Sequence, residues 1–329
     1  MSHLNGKVLL VTGGTGSFGR QFTEIVLKEH YPRALRIFSR DELKQLQMNQ
    51  QFKDTHIRFF IGDVRDKDRL HRAMHGVDIV VHAAALKQVP AAEYNPLEAV
   101  KTNIMGAANV IDVAIDASVE KVIFISTDKA VHPVNLYGAT KLVAEKLFIQ
   151  ANAYVGGQKP RFSCVRYGNV VGSRGSVIPL FWEGRKNGSI TITDRRMTRF
   201  WLTLQQGVRF VIDCIECMLG GEVFVPKLPS MRLVDTARTI APEAQWEVVG
   251  RRPGEKLHEE LITREEAPRT KEFKTHYVIE PQHPFWNPAH IPDGRPVSED
   301  FEYRSDTNTW WLTSEELKAC LAELQLELS

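Results

Sequence analysis

The chain has 329 residues and a formal net charge of +2, and 25% of its residues are charged. This balance gives no indication of a nucleic-acid surface, and no apolar run reaches the ~20 residues that a membrane-spanning helix needs. Residues 1–7 are too short and polar for a signal peptide, and the four cysteines are typical of reduced thiols, so we expect a cytoplasmic protein. Cys214 and Cys217 have a CxxC spacing without a second pair, which predicts helix packing and no metal site.

The chain begins with a strand that runs into a glycine-rich turn and then a helix. The apolar run over 7–12 is followed by glycines with the spacing GxxGxxG and by apolar residues at helical spacing. Glycines let the backbone turn tightly and approach a pyrophosphate at the helix N-terminus. This pattern predicts a dinucleotide site that comprises Gly13, Thr15, Gly16, Ser17, Phe18 and Gly19.

The second predicted strand, over 34–38, ends in Ser39, Arg40 and Asp41. Enzymes that use NAD usually carry an acid at this strand tip, where it binds the ribose hydroxyl. Asp41 is better placed to cap the helix predicted over 42–51. Arg40 can pair with a 2′-phosphate, so Ser39 and Arg40 favour NADP over NAD.

Two further short apolar strands are predicted over 57–64 and 78–85. Asp63 and Val64 follow the first of them, where we expect them to meet the adenine edge of the cofactor. Small residues end the second strand and leave room for the cofactor to lie against them, namely Ala83, Ala84 and Ala85. A helix predicted over 97–117 carries apolar residues at helical spacing and contributes to the core.

A hydroxyl, a carboxylate and an amine occur together in Thr127, Asp128 and Lys129, directly after a β-branched run over 121–125. That run predicts a buried parallel strand, so these side chains lie at the carboxyl end of a strand, where open α/β sheets bind ligands. Tyr137 and Lys141 follow one helical turn apart. We expect the lysine to lower the pKa of the tyrosine, which suits acid–base chemistry near neutral pH.

Strands and helices alternate from residue 7 to about 171, which predicts an α/β fold with a doubly wound parallel Rossmann sheet. We assign residues 1–172 to an NADP-binding domain. Residues 173–329 are expected to form mainly a smaller C-terminal substrate-binding lobe and a tail. A helix and strand within about 200–226 are expected to return to the first domain.

Motifs along essentially the whole chain resemble the extended short-chain dehydrogenase/reductase family that acts on nucleotide sugars. The catalytic turn has Thr-Asp-Lys where retaining sugar 4,6-dehydratases have Thr-Asp-Glu, and this difference favours the inverting UDP-N-acetylglucosamine 4,6-dehydratases of pseudaminic acid biosynthesis. The tail over 303–312 is also similar to theirs. The matching stretches are TGGTGSFG, HAAALKQVPAAEYNP, STDKAVHPVNLYGATK, RYGNVVGSRGSVIP, ITDRRMTRFW and RRPGEKLHEELI.

The resemblance implies a redox-neutral cycle on UDP-N-acetylglucosamine. Tyr137, with Thr127 and Lys141, would remove the C4 hydroxyl proton while a hydride passes to NADP⁺. Lys129 would then take the C5 proton as a base, and Asp128 would protonate the departing C6 hydroxyl. Return of the hydride to C6 and reprotonation of C5 from the other face would invert that centre.

The resemblance also implies the residues that bind the substrate and the state of assembly. Arg199 and Arg252 would bind the diphosphate, and Glu255 would accept hydrogen bonds from the ribose hydroxyls. A homo-oligomer is expected, with a hexamer implied by the family, and Trp310 and Trp311 are candidates for packing or subunit contacts. The implied substrate-binding residues are Lys87, Asn169, Val177, Thr191, Thr193, Arg199, Arg252 and Glu255.

Three alternatives remain open on the sequence alone. One, in the same enzyme class, is a related 4,6-dehydratase/5-epimerase that acts on UDP-N-acetylglucosamine for capsular sugars. A UDP-sugar 4-epimerase needs no C5 base or C6 acid, so Asp128 and Lys129 argue against it. A catalytically inactive NADP-binding regulator would be expected to lose Tyr137 or Lys141, and both are present.

Overall fold

The computed structural model describes residues 3–156, 158–172, 177–282 and 293–328. The strands are β1 Val8–Thr12, β2 Ala34–Ser39, β3 Ile57–Ile61, β4 Ile79–His82, β5 Lys121–Ile125, β6 Arg161–Val165, β7 Asn169–Val170, β8 Ser189–Ile192, β9 Thr198–Leu202, β10 Val223–Pro226, β11 Ser230–Arg232, β12 Gln245–Val248, β13 Glu260–Ile262, β14 Thr270–Glu272, β15 His276–Ile279, β16 Arg295–Pro296 and β17 Tyr303–Arg304. The α-helices are α1 Ser17–Glu29, α2 Glu42–Phe52, α3 Lys67–Met74, α4 Val89–Tyr94, α5 Pro96–Val100, α6 Gly106–Asp116, α7 Leu136–Tyr154, α8 Val177–Asn187, α9 Leu204–Cys217, α10 Leu233–Ile240 and α11 Ser314–Leu328.

A ten-stranded sheet in the order β16-β14-β15-β10-β6-β5-β4-β1-β2-β3 organises the molecule. The strands from β3 to β10 run parallel, and β15, β14 and β16 add an antiparallel edge. The chain order reverses between β1 and β4, which places a ligand crevice at the carboxyl ends of these strands. The predicted doubly wound parallel α/β fold is confirmed. β10, which follows α9, pairs with β6.

Apolar β-branched runs form the centre of this sheet because both of its faces are covered. All residues of β1 and β4 are buried, and so are those of β5 after Lys121. Helices on both faces exclude water from such strands, which therefore carry apolar residues without alternation. The central strands consequently form a rigid base for the loops at their carboxyl ends.

The prediction of one continuous α-helix over 97–117 is wrong. The structure has α5, then a π-helical segment Lys101–Met105, then α6. The wider π turn shifts the helical phase, so Thr102 and Asn103 are buried while Val100 and Ile104 are only half-buried. Such turns inside α-helices occur frequently at functional sites.

A second hydrophobic cluster lies outside the sheet core, among α8, β8, β9, α10 and α11. Its fully buried members include Phe181, Ile192, Trp201 and Leu317. β8 pairs with β12, and β9 lies between β7 and β11. Trp310 and Trp311 are about half-exposed beside β11. Within the described ranges, no helix is long and apolar enough to cross a membrane.

A buried ion-pair network connects the sheet to the C-terminal part of the chain. Arg166, which follows β6, donates to Glu145 on α7 at 2.5 Å and to Glu266 at 2.8 Å. The Arg166 side chain is 2% exposed. Burial alone would lower the pKa of this guanidinium, but the two carboxylates raise it above its usual value. Glu145 also accepts a hydrogen bond from Ser126 at 2.7 Å, so the network supports the end of β5.

Replacing Arg166 with alanine should lower the free energy of unfolding by about 3–5 kcal/mol, because it leaves two buried carboxylates without their cation. Urea denaturation at neutral pH measures this change. Arg196→Ala is the control, since Arg196 pairs with Asp194 at an exposed site and such pairs contribute little. Equal unfolding midpoints for the two variants would contradict the structural role of Arg166.

Candidate active site

The glycine loop lies against the backbone that follows β4. Gly13 has a φ of +66°, and a Cβ atom there would lie 2.9 Å from the Cα atom of Ala84. Gly16 precedes α1, and among the described residues no side chain caps this helix. Its first amide groups therefore remain available to an anion, and the loop fits a pyrophosphate.

The other predicted cofactor residues lie around this loop. Thr15 is buried within the loop, Ser17 is exposed, and Phe18 and Gly19 belong to the first turn of α1. Ala83, Ala84 and Ala85 are half-buried directly after β4. The Ala84 amide donates to the Thr12 hydroxyl at 3.2 Å, which holds this segment against the end of β1.

Arg40 is the half-exposed cation at the tip of β2. Its guanidinium lies 3.4 Å from the carboxylate of Asp63, which also binds Arg65 at 2.7 Å. Burial would raise the pKa of Asp63, but Arg65 and Arg40 lower it below its usual value. Ser39 is buried and accepts an internal hydrogen bond from the start of α2. The predicted cap by Asp41 is confirmed, since its carboxylate accepts an amide hydrogen bond from the first turn of α2.

Val64 has a packing role in the structure. It is 4% exposed. A Cβ atom on Gly106 would lie 2.7 Å from its side chain, so α6 packs closely against it. Asp63, directly before it, lies at the surface of the crevice with Arg40.

The Thr-Asp-Lys turn, residues 127–129, places its three functional groups in direct contact after β5. The Thr127 hydroxyl donates to Oδ1 of Asp128 at 2.8 Å, and Nζ of Lys129 donates to the same oxygen at 3.0 Å. Asp128 is 0% exposed. Its Oδ2 atom has no hydrogen-bond partner among the residues that the structure describes. Such a buried oxygen is expected to be satisfied by a further group, such as a ligand hydroxyl.

The surroundings of this pair raise the pKa of both groups. Burial raises the pKa of Asp128, and the nearby Glu259 carboxylate raises it further. Burial would lower the pKa of Lys129, but Asp128 and Glu259 raise it above its usual value. Lys129 is therefore held as an ammonium ion beside a carboxyl group that resists ionisation.

Tyr137 and Lys141 lie in the first turns of α7, beside the Thr-Asp-Lys turn. The prediction that Lys141 lowers the pKa of Tyr137 is wrong in this structure. Burial raises the pKa of Tyr137 to about 12, and the nearest charges that act on it belong to Lys129 and Asp128. Lys141 instead donates to the carbonyl oxygen of Ile125 at 2.5 Å, and burial lowers its pKa to about 7.

Asn103, in the π-helical segment, is a positioning residue that sequence reasoning missed. Its side-chain amide exchanges hydrogen bonds with the backbone of Leu86 at 2.8 and 2.9 Å and donates to Thr140 at 3.0 Å. It thereby joins the loop after β4, which carries the exposed Lys87, to α7 beside Lys141. The one signal in the sequence for this role is that Asn103 is a polar residue within a helix predicted to be mainly apolar on its buried face.

The segment over 252–262 covers the Thr-Asp-Lys turn from the C-terminal half of the chain. Asn135, the N-cap of α7, donates to the carbonyl of Gly254 at 2.8 Å. Nζ of Lys256 donates to the backbone carbonyl of Asp128 at 3.3 Å. The predicted substrate residues Arg252 and Glu255 form the turn that precedes this contact, with the Arg252 amide 3.1 Å from the Glu255 carboxylate.

Glu259 is a second residue that sequence reasoning missed, although it belongs to the matching stretch RRPGEKLHEELI. Its carboxylate is 3% exposed, and it lies 3.6 Å from Lys129 and 3.6 Å from Arg199. Arg199, predicted to bind diphosphate, also donates to the backbone of Lys256 at 3.0 Å. The structure therefore brings Arg199 together with the Thr-Asp-Lys turn through Glu259.

The remaining predicted substrate residues lie on separate elements. Asn169 is on β7, and its buried Oδ1 atom has no partner within the described part of the chain. Thr193 donates to a methionine sulfur at 3.1 Å that also lies 3.4 Å from Arg199. Thr191 is exposed on β8, and Val177 is half-buried at the start of α8. Residues 173–176, within the stretch RYGNVVGSRGSVIP, lie outside the described residues.

Comparisons with known proteins identify the family of the chain. The family described as "Polysaccharide biosynthesis protein" matches residues 9–281. An inverting UDP-N-acetylglucosamine 4,6-dehydratase of Campylobacter jejuni (strain 81-176) is 50% identical, over 95% of this chain and 96% of its own. A UDP-glucose 4-epimerase of Rickettsia conorii is 41% identical, over 97% and 96%.

Among solved structures, Pen from Bacillus thuringiensis is 40% identical, with a TM-score of 0.91 over 98% of this chain and 99% of its own. These similarities extend over nearly the whole length of both partners. The chain therefore belongs to the polysaccharide biosynthesis protein family, within the extended short-chain dehydrogenases/reductases that act on nucleotide sugars.

Proposed function

We propose that the protein is an NADP-dependent, inverting UDP-N-acetylglucosamine 4,6-dehydratase. Its product would be UDP-2-acetamido-2,6-dideoxy-β-L-arabino-hex-4-ulose. The observation that carries this proposal is the buried contact between Asp128 and Lys129, 3.0 Å apart at the end of β5. Elimination of water across C5 and C6 needs one group to take a proton and a neighbouring group to give one. The name of the Campylobacter relative supports the same reaction.

The cofactor would lie along the carboxyl ends of β1, β2 and β4. The uncapped start of α1 would bind its pyrophosphate, and Arg40 would bind a 2′-phosphate. When bound, the nicotinamide would accept a hydride from C4 of the sugar and return it to C6. The half-buried alanines after β4 would let the cofactor approach the sheet closely.

Oxidation at C4 requires a group that removes the hydroxyl proton. Tyr137 is suited to this step because it lies beside the Thr-Asp-Lys turn, where Thr127 opposes the rise in its pKa that burial causes. Lys141 lies one turn further along α7, with its amine on the carbonyl oxygen of Ile125. Since burial brings the pKa of Lys141 to about 7, this amine can exchange a proton near neutral pH.

The elimination step uses the less populated of two proton arrangements, in which the shared proton lies on Asp128 and Lys129 is neutral. Transfer of one proton from Nζ of Lys129 to Asp128, across their direct contact, leaves an amine next to a carboxylic acid. The amine then removes the C5 proton, which the C4 ketone has made acidic. The acid protonates the departing C6 hydroxyl, and water leaves. Because burial raises the pKa of Asp128, its acid form is easier to reach than that of an exposed aspartate.

The uridine diphosphate would be bound by the C-terminal half. Arg252 is exposed at the turn that contacts α7, and Glu255 lies in the same turn. Arg199 would add positive charge next to Glu259, and Asn169 presents its unsatisfied oxygen from β7. We propose that these residues, with Thr191, Thr193, Val177 and Lys87, line the substrate cleft.

A UDP-sugar 4-epimerase is the second candidate, because the Rickettsia relatives carry that name. Such an enzyme needs only the chemistry of Tyr137 at C4. Burying Asp128 and Lys129 together has a large desolvation cost, which an epimerase would incur without using either group. The pair therefore favours the dehydratase.

Arg40→Asp should weaken binding of NADP(H) by at least about tenfold more than binding of NAD(H), because a charge-assisted contact with the 2′-phosphate becomes a repulsion. Fluorescence titration with each reduced cofactor measures both affinities. The matched control is Arg33→Ala, since Arg33 lies just before the opposite end of β2. Equal losses for the two cofactors would contradict the NADP assignment.

Replacements in the Thr-Asp-Lys turn and in α7 should separate the chemical steps. Tyr137→Phe should abolish every step, whereas Lys129→Ala should permit C4 oxidation and block elimination, so that a 4-keto sugar and reduced cofactor accumulate. Each loss should be ~10²–10⁴ in rate, as is typical of a positioned proton-transfer group. Stopped-flow absorbance of the nicotinamide measures the accumulation.

The controls for this series are Tyr154→Phe and Lys146→Ala, because both side chains are exposed on the same helix α7. These two variants should turn over at the rate of the unmodified enzyme. Near-normal turnover by Lys129→Ala, with an unchanged circular dichroism spectrum, would show that the dehydratase assignment is wrong.

A further inference from the structure

Glu259, which the reaction scheme above does not use, lies at the centre of a buried group of charges. Three cations face its carboxylate, with Nζ of Lys129 at 3.6 Å, Nε of Arg199 at 3.6 Å and Nζ of Lys256 at 3.9 Å. Burial would raise the pKa of Glu259, but these cations lower it below its usual value. Glu259 is therefore ionised at neutral pH.

The backbone holds this carboxylate in place. The Glu259 amide donates to the Ser305 hydroxyl at 2.9 Å, and the Ser305 amide donates back to the Glu259 carbonyl at 2.8 Å. The same hydroxyl lies 2.7 Å from that of Thr198 on β9. Oε2 of Glu259 has no hydrogen-bond partner in the part of the chain that the structure describes. The carboxylate thus acts on its neighbours mainly through its charge.

We propose that Glu259 is a positioning residue for the elimination step, whose charge holds Lys129 against Asp128 and keeps a proton on that pair. Lys129 is the only one of the three facing cations that belongs to the Thr-Asp-Lys turn, and it lies between the two carboxylates. The proposal rests on the proposed dehydratase function, because it assigns Glu259 a role in one step of that reaction.

The sign of the effect follows from the charges. A nearby negative charge favours the protonated form of an acid and of an amine alike. Glu259 therefore raises the pKa of both Asp128 and Lys129. Removing the charge of Glu259 therefore lowers both pKa values. Because the two groups titrate together, the pair then loses its shared proton at a lower pH. Besides Lys129, the charged groups that act on Glu259 are Arg199 on β9 and Lys256 on its own segment. The titratable neighbours His258 and Glu260 flank it in sequence and bind Asp306 and His132 respectively.

The first test compares Glu259→Gln with the matched control Glu260→Gln in the holoenzyme. The two residues are adjacent, but the Glu260 carboxylate binds His132 at 2.8 Å. For Glu259→Gln, the midpoint of the alkaline limb of the pH–rate profile should lie at a pH lower by at least about 1. On that limb, turnover at a fixed pH should then be about tenfold slower than in the unmodified enzyme. Reduced cofactor should accumulate with substrate, since C4 oxidation continues.

The second test does not depend on turnover. Acetic anhydride labels neutral amines, and mass spectrometry gives the labelling rate of each lysine against pH. Lys129 should be labelled about tenfold faster in Glu259→Gln than in the unmodified protein, while the exposed Lys186 should be unchanged. Glu259→Asp keeps the charge and should restore much of the original rate, which a merely structural role would not produce.

The outcomes separate the two proposals. If the unmodified enzyme does not convert UDP-N-acetylglucosamine, the proposed function fails, and the labelling of Lys129 still decides whether Glu259 controls this amine. If the unmodified enzyme is active but Glu259→Gln, with an unchanged circular dichroism spectrum, retains both the pH profile and the labelling rate, the role of Glu259 is wrong. Equal changes in Glu259→Gln and Glu260→Gln would also overturn it.

Discussion

The contact between Asp128 and Lys129 is the interaction on which the site depends. Moving an acid and an amine out of water together has a large desolvation free energy. Further charges and hydrogen bonds around the pair must offset that cost. Here Thr127 donates to the acid, and Glu259 faces the amine. The same burial that destabilises the pair also raises the pKa of Asp128, which favours the acid form of this group. Stability is therefore sacrificed locally for reactivity.

Both halves of the chain must be in place before this pair exists in its working form. The parallel sheet supplies the turn at the end of β5, whereas the 252–262 segment supplies Glu259 and the lysine that binds the backbone of Asp128. Arg166 connects the same two parts deeper in the molecule, through carboxylates on α7 and near the end of the 252–262 segment. The geometry of the proposed catalytic pair is thus coupled to the packing of the C-terminal half against the sheet.

Features encoded locally could be predicted from the sequence, and features that depend on distant residues could not. The β-strand over 121–125 and the cap by Asp41 follow from short patterns, and the structure has both. The π-helical segment around Asn103 changes the phase of an otherwise regular apolar pattern, which no local count reveals. Glu259 stands next to a second glutamate in sequence, and only the fold shows which of the two faces Lys129. The orientation of Lys141 toward β5 likewise depends on how α7 packs, so its expected effect on Tyr137 was wrong.

The most direct test of the account is the configuration of the product at C5. Unmodified enzyme, incubated with UDP-N-acetylglucosamine in D₂O, should install one deuterium at C5 and give the L-arabino 4-keto-6-deoxy sugar, without net formation of reduced cofactor. Proton and deuterium NMR of the product measure the position of the label and the configuration together. A product that keeps the D-configuration at C5, or a UDP-sugar altered only at C4, would contradict the assignment of Asp128 and Lys129 to an inverting elimination.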